Sequence, residues 1–266
     1  GAAAIGAPGA APPPAGLRLG VATYSLRKFD RGKSIAMIRQ LGVTDVNVKE
    51  YHLPYRSSPA ELEAGRKEFE DAGLRIVAGG SVDFEKDDDA DVRRYFEYAR
   101  ACRMPLMVIA TSHAILPRIE KFVREYGIRI AVHNHGPEDK EFPSPDVALK
   151  AVKAMDPRMG VCVDVGHTLR TGVDLVASIR ECGARLFDVH IKDLRSPADR
   201  KSQCPVGDGV APTGAIFRQL ANMKYGGAIS LEYEAEPEDP LPGMIKSFAY
   251  FYCVINNKTV LKCFRG

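Results

Sequence analysis

The sequence predicts a single (β/α)8 TIM barrel, and three observations predict it. Short β-branched apolar runs alternate with helical segments; there are eight such runs; and no second domain interrupts them. The runs are 17–25, 43–50, 74–80, 105–111, 128–135, 159–167, 186–193 and 227–234. Strand–helix alternation implies a parallel sheet with right-handed crossovers, and eight units imply closure. Helix starts are marked by Pro59 and by Ser144 before Pro145. Gly42, Gly73, Gly127 and Gly183 each stand just before a strand, where a helix C-terminal glycine belongs. An open doubly wound sheet is the competing fold, but no G-x-G-x-x-G follows the first run. The barrel is expected over 17–266, preceded by a flexible tail, 1–16.

That tail, GAAAIGAPGAAPPPAG, is uncharged and rich in Ala, Gly and Pro. It reads as the stub left after removal of a secretory signal, which favours a periplasmic or secreted protein; an ordinary tail on a cytoplasmic protein is the alternative. The six cysteines form no CxxC pair, which argues against a thiolate zinc site. Their scattered apolar settings fit free buried thiols at least as well as disulfides. The net charge of +3 comes without a basic cluster, which argues against nucleic acid. No apolar stretch reaches the ~20 residues of a membrane helix. A homo-oligomer is compatible with the fold.

Side chains alternate between the two faces of a strand. Assigning the bulky aliphatics to the helix side turns Arg129, Ala131, His133 and His135 inward on the fifth strand. The same rule turns in Cys162 and Asp164 on the sixth, Asp188, His190 and Lys192 on the seventh, and Ser230, Glu232 and Glu234 on the eighth, with Phe187, Val189 and Ile191 facing out. His133, Asp164, His190 and Glu232 then stand near the strand ends at one depth. Two imidazoles and two carboxylates there make a cage for a divalent metal, without which the two carboxylates would be buried at a steep desolvation cost.

The motifs VHNHG, VDVGH, VHIKD and SLEYE resemble strand ends of the xylose isomerase-like TIM-barrel superfamily, in particular its sugar phosphate isomerase/epimerase branch with tagatose 3-epimerase-like enzymes. Endonuclease IV is more distant. The resemblance implies a carbohydrate substrate and a Mn²⁺ or Zn²⁺ ion held by a Glu, an Asp, a His and a Glu. Asp164, His190 and Glu232 take the last three places, and His167 would lie beside the substrate. The first glutamate falls on His133, with His135 the alternative ligand; Glu138 or Glu141 would return a carboxylate from the next loop. Since the epimerases use both glutamates as bases, this departure weakens 3-epimerisation more than it weakens the metal.

Rim residues complete the expectation. Lys49 is a candidate base or carbonyl clamp, and His52 a hydroxyl contact. Gly79 and Gly80 would let a ligand approach the third strand. Lys192, pointing inward slightly above the metal, would contact the substrate, and Arg195, Arg200 and Lys201 in the long loop that follows would meet a phosphate or a carboxylate. The expected chemistry is isomerisation or epimerisation through an enediolate, with Glu232 as base and Lys49 or His167 on the opposite face. Loss of a β-substituent would make the same intermediate a lyase's, for instance on a 3-keto sugar. Two other classes compete: phosphodiester cleavage, which needs more metal ligands and a basic surface, and a non-catalytic sugar-binding barrel, which would not exchange a substrate proton.

Overall fold

The computed structural model describes residues 16–256. Its strands are β1 (Arg18–Ala22), β2 (Asp45–Val48), β3 (Arg75–Asp83), β4 (Leu106–Ala110), β5 (Arg129–His133), β6 (Met159–Asp164), β7 (Leu186–Ile191), the short β8 (Asp193–Leu194) and β9 (Gln203–Cys204), and β10 (Ala228–Leu231). All but β8 and β9 pair in parallel and close into a barrel in the order β1-β10-β7-β6-β5-β4-β3-β2. β8 and β9 form an antiparallel pair in the loop after β7. The helices are α1 (Arg31–Gln40), α2 (Pro59–Asp71), α3 (Asp89–Ala101), α4 (Leu116–Tyr126), α5 (Pro145–Val152), α6 (Val165–Leu169), α7 (Leu175–Cys182), α8 (Thr213–Asn222) and α9 (Leu241–Ile255). None of them is long and apolar enough to cross a membrane. The expectations for residues 1–15 and Cys263 lie outside the described residues.

Local chemistry accounts for these elements. Ser58 opens α2 with a reciprocal cap: its hydroxyl accepts from the Glu61 amide, and the Glu61 carboxylate accepts from the Ser58 amide. Leu62, Gly65, Arg66 and Phe69 then turn one helix face to the barrel. The chain leaves through Gly73 at φ 78°, a conformation that costs a glycine little. Ser144 precedes α5 as expected, but its side chain makes no capping bond.

Two apolar layers result. Most of the core lies between strands and helices, where Val21, Val46, Ile130, Val161, Val189 and Leu231 point. A smaller cluster fills the barrel itself: Ala78, Leu106, Val108, Ala131, Cys162 and Phe187. Phe187 corrects the alternation rule, which placed it outside. The register between β6 and β7 jumps, with Val161 opposite Leu186 but Cys162 opposite Asp188, so Phe187 is the extra residue of a bulge and turns inward.

Gly79 and Gly80 serve packing rather than ligand approach. A Cβ would strike Met104 at the first and the Val108 carbonyl at the second. Cys102, Cys162, Cys182 and Cys204 are buried free thiols, whereas Cys253 is disulfide-bonded, so both of the alternatives left open for the cysteines occur.

Candidate active site

The C-terminal ends of β5, β6, β7 and β10 bring four side chains together. One ligand atom from each of His133, Asp164, His190 and Glu232 lies within 4.8 Å of the other three, and all four residues are buried. His133 Nε2 is 3.3 Å from Asp164 Oδ2, and His190 Nδ1 is 3.4 Å from Glu232 Oε2. His133, rather than His135, joins the cluster. His135 is two residues further out, a third exposed, with Nδ1 3.3 Å from Asp139.

Backbone and neighbouring groups hold each of these side chains. Asp164 ends β6 and caps α6: Oδ1 accepts from the His167 amide at 2.8 Å, which leaves Oδ2 for the cluster. The Asp164 amide donates to Asn134 Oδ1, and Asn134 donates to Thr168. Behind His190, Nε2 is 2.9 Å from Asn47 Nδ2 and 3.6 Å from Asp188 Oδ2, an arrangement that turns Nδ1 toward Glu232. Gln203 of β9 holds the segment after β10: its amide donates to the Glu232 carbonyl and its oxygen accepts from the Ala235 amide.

Lys192 gives the site its charge balance. Its Nζ is 3.1 Å from Asp164 Oδ2, 2.7 Å from Glu232 Oε2 and 2.5 Å from Glu234 Oε1. Burial opposes its charge, but Asp164, Glu232 and Glu234 outweigh that and hold the ammonium well above its usual value. Burial likewise opposes ionisation of Asp164 and Glu232, and Lys192 with the neighbouring imidazoles keeps both ionised. Burial, aided by His135, keeps the His133 imidazole neutral. Burial also keeps His167 neutral. For His190 burial is outweighed by Cys162, Glu232 and Asp188, so it holds a proton more tightly than a free imidazole. Cys162 lies within reach of His133 and His190, but burial pushes its thiol up to about 12.

These residues fit a divalent cation. His190 Nδ1 and Asp164 Oδ2, which face the cluster, are buried without a hydrogen bond, an arrangement that costs free energy unless something else satisfies them. Nitrogen and carboxylate oxygen donors in this mixture suit zinc or manganese.

A cavity of about 300 Å³ leads to the cluster. Glu232, Lys49, His167, His135 and Lys192 line it. His52 does not: it is buried beneath the rim, with Nε2 2.9 Å from Ser34 Oγ and 3.2 Å from the Phe29 carbonyl. Arg195 is exposed and absent from the lining, and Arg200 takes its place because the loop pairs the Arg195 backbone with Ser202 and turns that side chain outward. Glu138 and Glu141 return no carboxylate; they pair with Arg170 and His113. Lys49 is half-buried, and its ammonium donates to the Ser81 carbonyl. The alternation rule placed Asp188 inside the barrel without a role, and neither Asn47 nor Gln203 was singled out in the sequence.

Comparison with known proteins finds the same fold. The chain is 22% identical over 204 residues to inosose dehydratase from Clostridium beijerinckii, covering 69% of this chain and 65% of that protein's length. Among solved structures, a D-psicose 3-epimerase has a similar fold (TM-score 0.70, 17% identity, 90% of this chain and 99% of the other). So has a probable 3-DHS dehydratase involved in petrobactin synthesis in Bacillus anthracis (TM-score 0.69, 12% identity, 86% and 98%). The family model for the xylose isomerase-like TIM barrel matches residues 35–252, and the chain belongs to that family.

Proposed function

We propose that the protein is a metal-dependent lyase that removes water or another β-substituent from a keto-sugar or keto-polyol. The observation that carries this reading is the 2.7 Å contact between Lys192 Nζ and Glu232 Oε2. It sets an ionised carboxylate beside a charged ammonium on one side of the cavity. His133, Asp164, His190 and Glu232 would hold one Mn²⁺ or Zn²⁺ ion, which when bound supplies Lewis-acid polarisation of a carbonyl.

The protein's own groups account for the proton movements. Glu232 takes the proton α to the carbonyl, and those electrons form the carbon–carbon double bond as the β C–O bond breaks. Lys192 protonates the departing oxygen, so water leaves. The proton on Glu232 then passes across the short contact to Lys192, which restores both groups. No base on the opposite face is needed, in keeping with a histidine at position 133.

The sequence favours isomerisation or epimerisation and keeps elimination as the rival; we put elimination first. Epimerisation remains the second reading because His167, with a buried unpartnered Nδ1, lines the same cavity and could serve the opposite face. The dehydratase relative and the epimerase neighbour bracket these two outcomes. A location outside the cytoplasm is part of the proposal; the disulfide at Cys253 fits an oxidising compartment.

The test is to incubate metal-loaded protein with a keto-inositol and with 3-keto sugars, following absorbance of a conjugated enone. An enone that grows with loss of water supports elimination. An inverted substrate carrying solvent deuterium, with no unsaturated product, moves the protein to the epimerases.

A further inference from the structure

A second cavity, of about 510 Å³, opens at the opposite, N-terminal end of the barrel. Its size falls in the ~300–1,000 Å³ range of small-molecule sites. Three guanidinium groups from alternate strands border it: Arg18 of β1, Arg75 of β3 and Arg129 of β5. Side chains from alternate strands share a layer in such barrels, so these three ring one mouth. Beneath them the floor is apolar, made of Ala78, Leu106 and Phe187.

The three arginines are not equivalent. Arg18 and Arg75 converge on one buried carboxylate, Asp45, at 2.7 and 2.5 Å. That trio closes on itself and carries one surplus positive charge. Arg129 has no ion pair or hydrogen bond to its guanidinium among the described residues. Its Cζ lies 3.7 Å from the centre of the Phe187 ring, and the residue is otherwise open to solvent. The other acid at the cavity, Asp188, is already engaged, by Asn47 on one oxygen and by the Val189 amide on the other. The Tyr225 hydroxyl is likewise spent on the Ala228 carbonyl. The mouth therefore carries surplus positive charge and a flat, unused donor fork over an apolar floor.

We propose that this cavity binds a small oxyanion with an apolar body, an organic phosphate or carboxylate, and that Arg129 is its anchor. A guanidinium matches such a group with two parallel hydrogen bonds, which an ammonium cannot do. An aromatic or aliphatic body would pack on the small part of Leu106 and Phe187, each 5% exposed, that remains open at the cavity floor, which an inorganic ion alone would not. The site faces away from Glu232, so its ligand is distinct from the substrate.

Calorimetric titration of the full chain tests this, with phenyl phosphate, benzoate and inorganic phosphate at fixed ionic strength. One equivalent of phenyl phosphate or benzoate should bind, at least one of them more tightly than inorganic phosphate; which of the two wins separates a phosphate site from a carboxylate site. Arg129→Gln should weaken the dissociation constant about tenfold, the loss of one charge-assisted contact. Arg200→Gln, at the active-site cavity, should leave it unchanged. Arg129→Lys keeps the charge without the fork and should weaken binding several-fold; it carries the test if Arg129→Gln does not fold. Absence of saturable binding, unchanged affinity in the Arg129 variants, loss in Arg200→Gln instead, or tightest binding of inorganic phosphate would each overturn the proposal.

Discussion

Lys192 Nζ and Glu232 Oε2 lie 2.7 Å apart, with only 5% and 10% of their side chains exposed. In so dry a place the pair acts as one unit, a base already beside the acid that resets it. Replacing Lys192 by Met separates the two roles. Turnover should fall by about 10²–10⁴-fold, the usual worth of a positioned proton donor. Glu232 remains, so the α-proton should still exchange into heavy water, read by proton NMR. Exchange that stops together with turnover would show that Lys192 only positions Glu232.

Glu232→Gln makes the complementary change. An amide cannot accept the proton, so exchange and turnover should both drop, again by about 10²–10⁴-fold. The amide oxygen still coordinates, so much of the metal should remain bound. Undiminished exchange in this variant would transfer the base to His167 or Lys49.

Asn47 and Asp188 stand against the far nitrogen of His190 at 2.9 and 3.6 Å. Groups in this position fix the ring of a metal-binding histidine, and their loss typically costs about 10–100-fold in metal affinity. Asn47→Ala and Asp188→Asn should each weaken zinc or manganese binding in that range, measured by competition with a chromogenic chelator. Saturating metal should restore much of the turnover. Unaltered metal affinity in both variants would mean that His190 is not held by these residues.

The alternation of side chains made much of this site legible in advance. On β5, β6 and β10 the bulky aliphatics do face the helices, so His133, Asp164 and Glu232 point inward as expected. Where the strand is irregular the rule fails: the bulge at Phe187 reverses its side chain while leaving His190 in place. Loops obey no such period. Nothing in the sequence distinguishes a His52 turned toward Ser34 from one turned toward a substrate. The same holds for Arg200 against Arg195, and for Gln203, which reaches the site only because β8 and β9 fold the long loop back. Lys192 was placed above the metal site; it instead reaches down between Asp164 and Glu232, because a long flexible side chain follows the local charge.

His133→Glu would restore the two-glutamate pattern that the sequence resembles. A carboxylate at this position offers a second base, so any epimerised product should rise relative to the unsaturated one when both are separated by chromatography. Identical product ratios in the two proteins would remove His133 from the account of specificity.

The fold itself can be probed away from the chemistry. Phe69 on α2 is fully buried against the barrel, and Phe69→Ala should cost about 3–5 kcal/mol in reversible denaturant unfolding. A loss under about 1 kcal/mol would mean that α2 does not pack as described.

The central claim is that His133, Asp164, His190 and Glu232 form one metal-holding centre, and metal stoichiometry tests it most directly. Protein stripped with a chelator and titrated calorimetrically with Zn²⁺ and Mn²⁺ should take up one ion per chain. Asp164→Ala, which loses the buried Oδ2 that faces His133 and Lys192, should abolish that binding while circular dichroism shows a folded barrel. Saturation that persists in folded Asp164→Ala, or no stoichiometric uptake by the unmodified protein, would contradict the account.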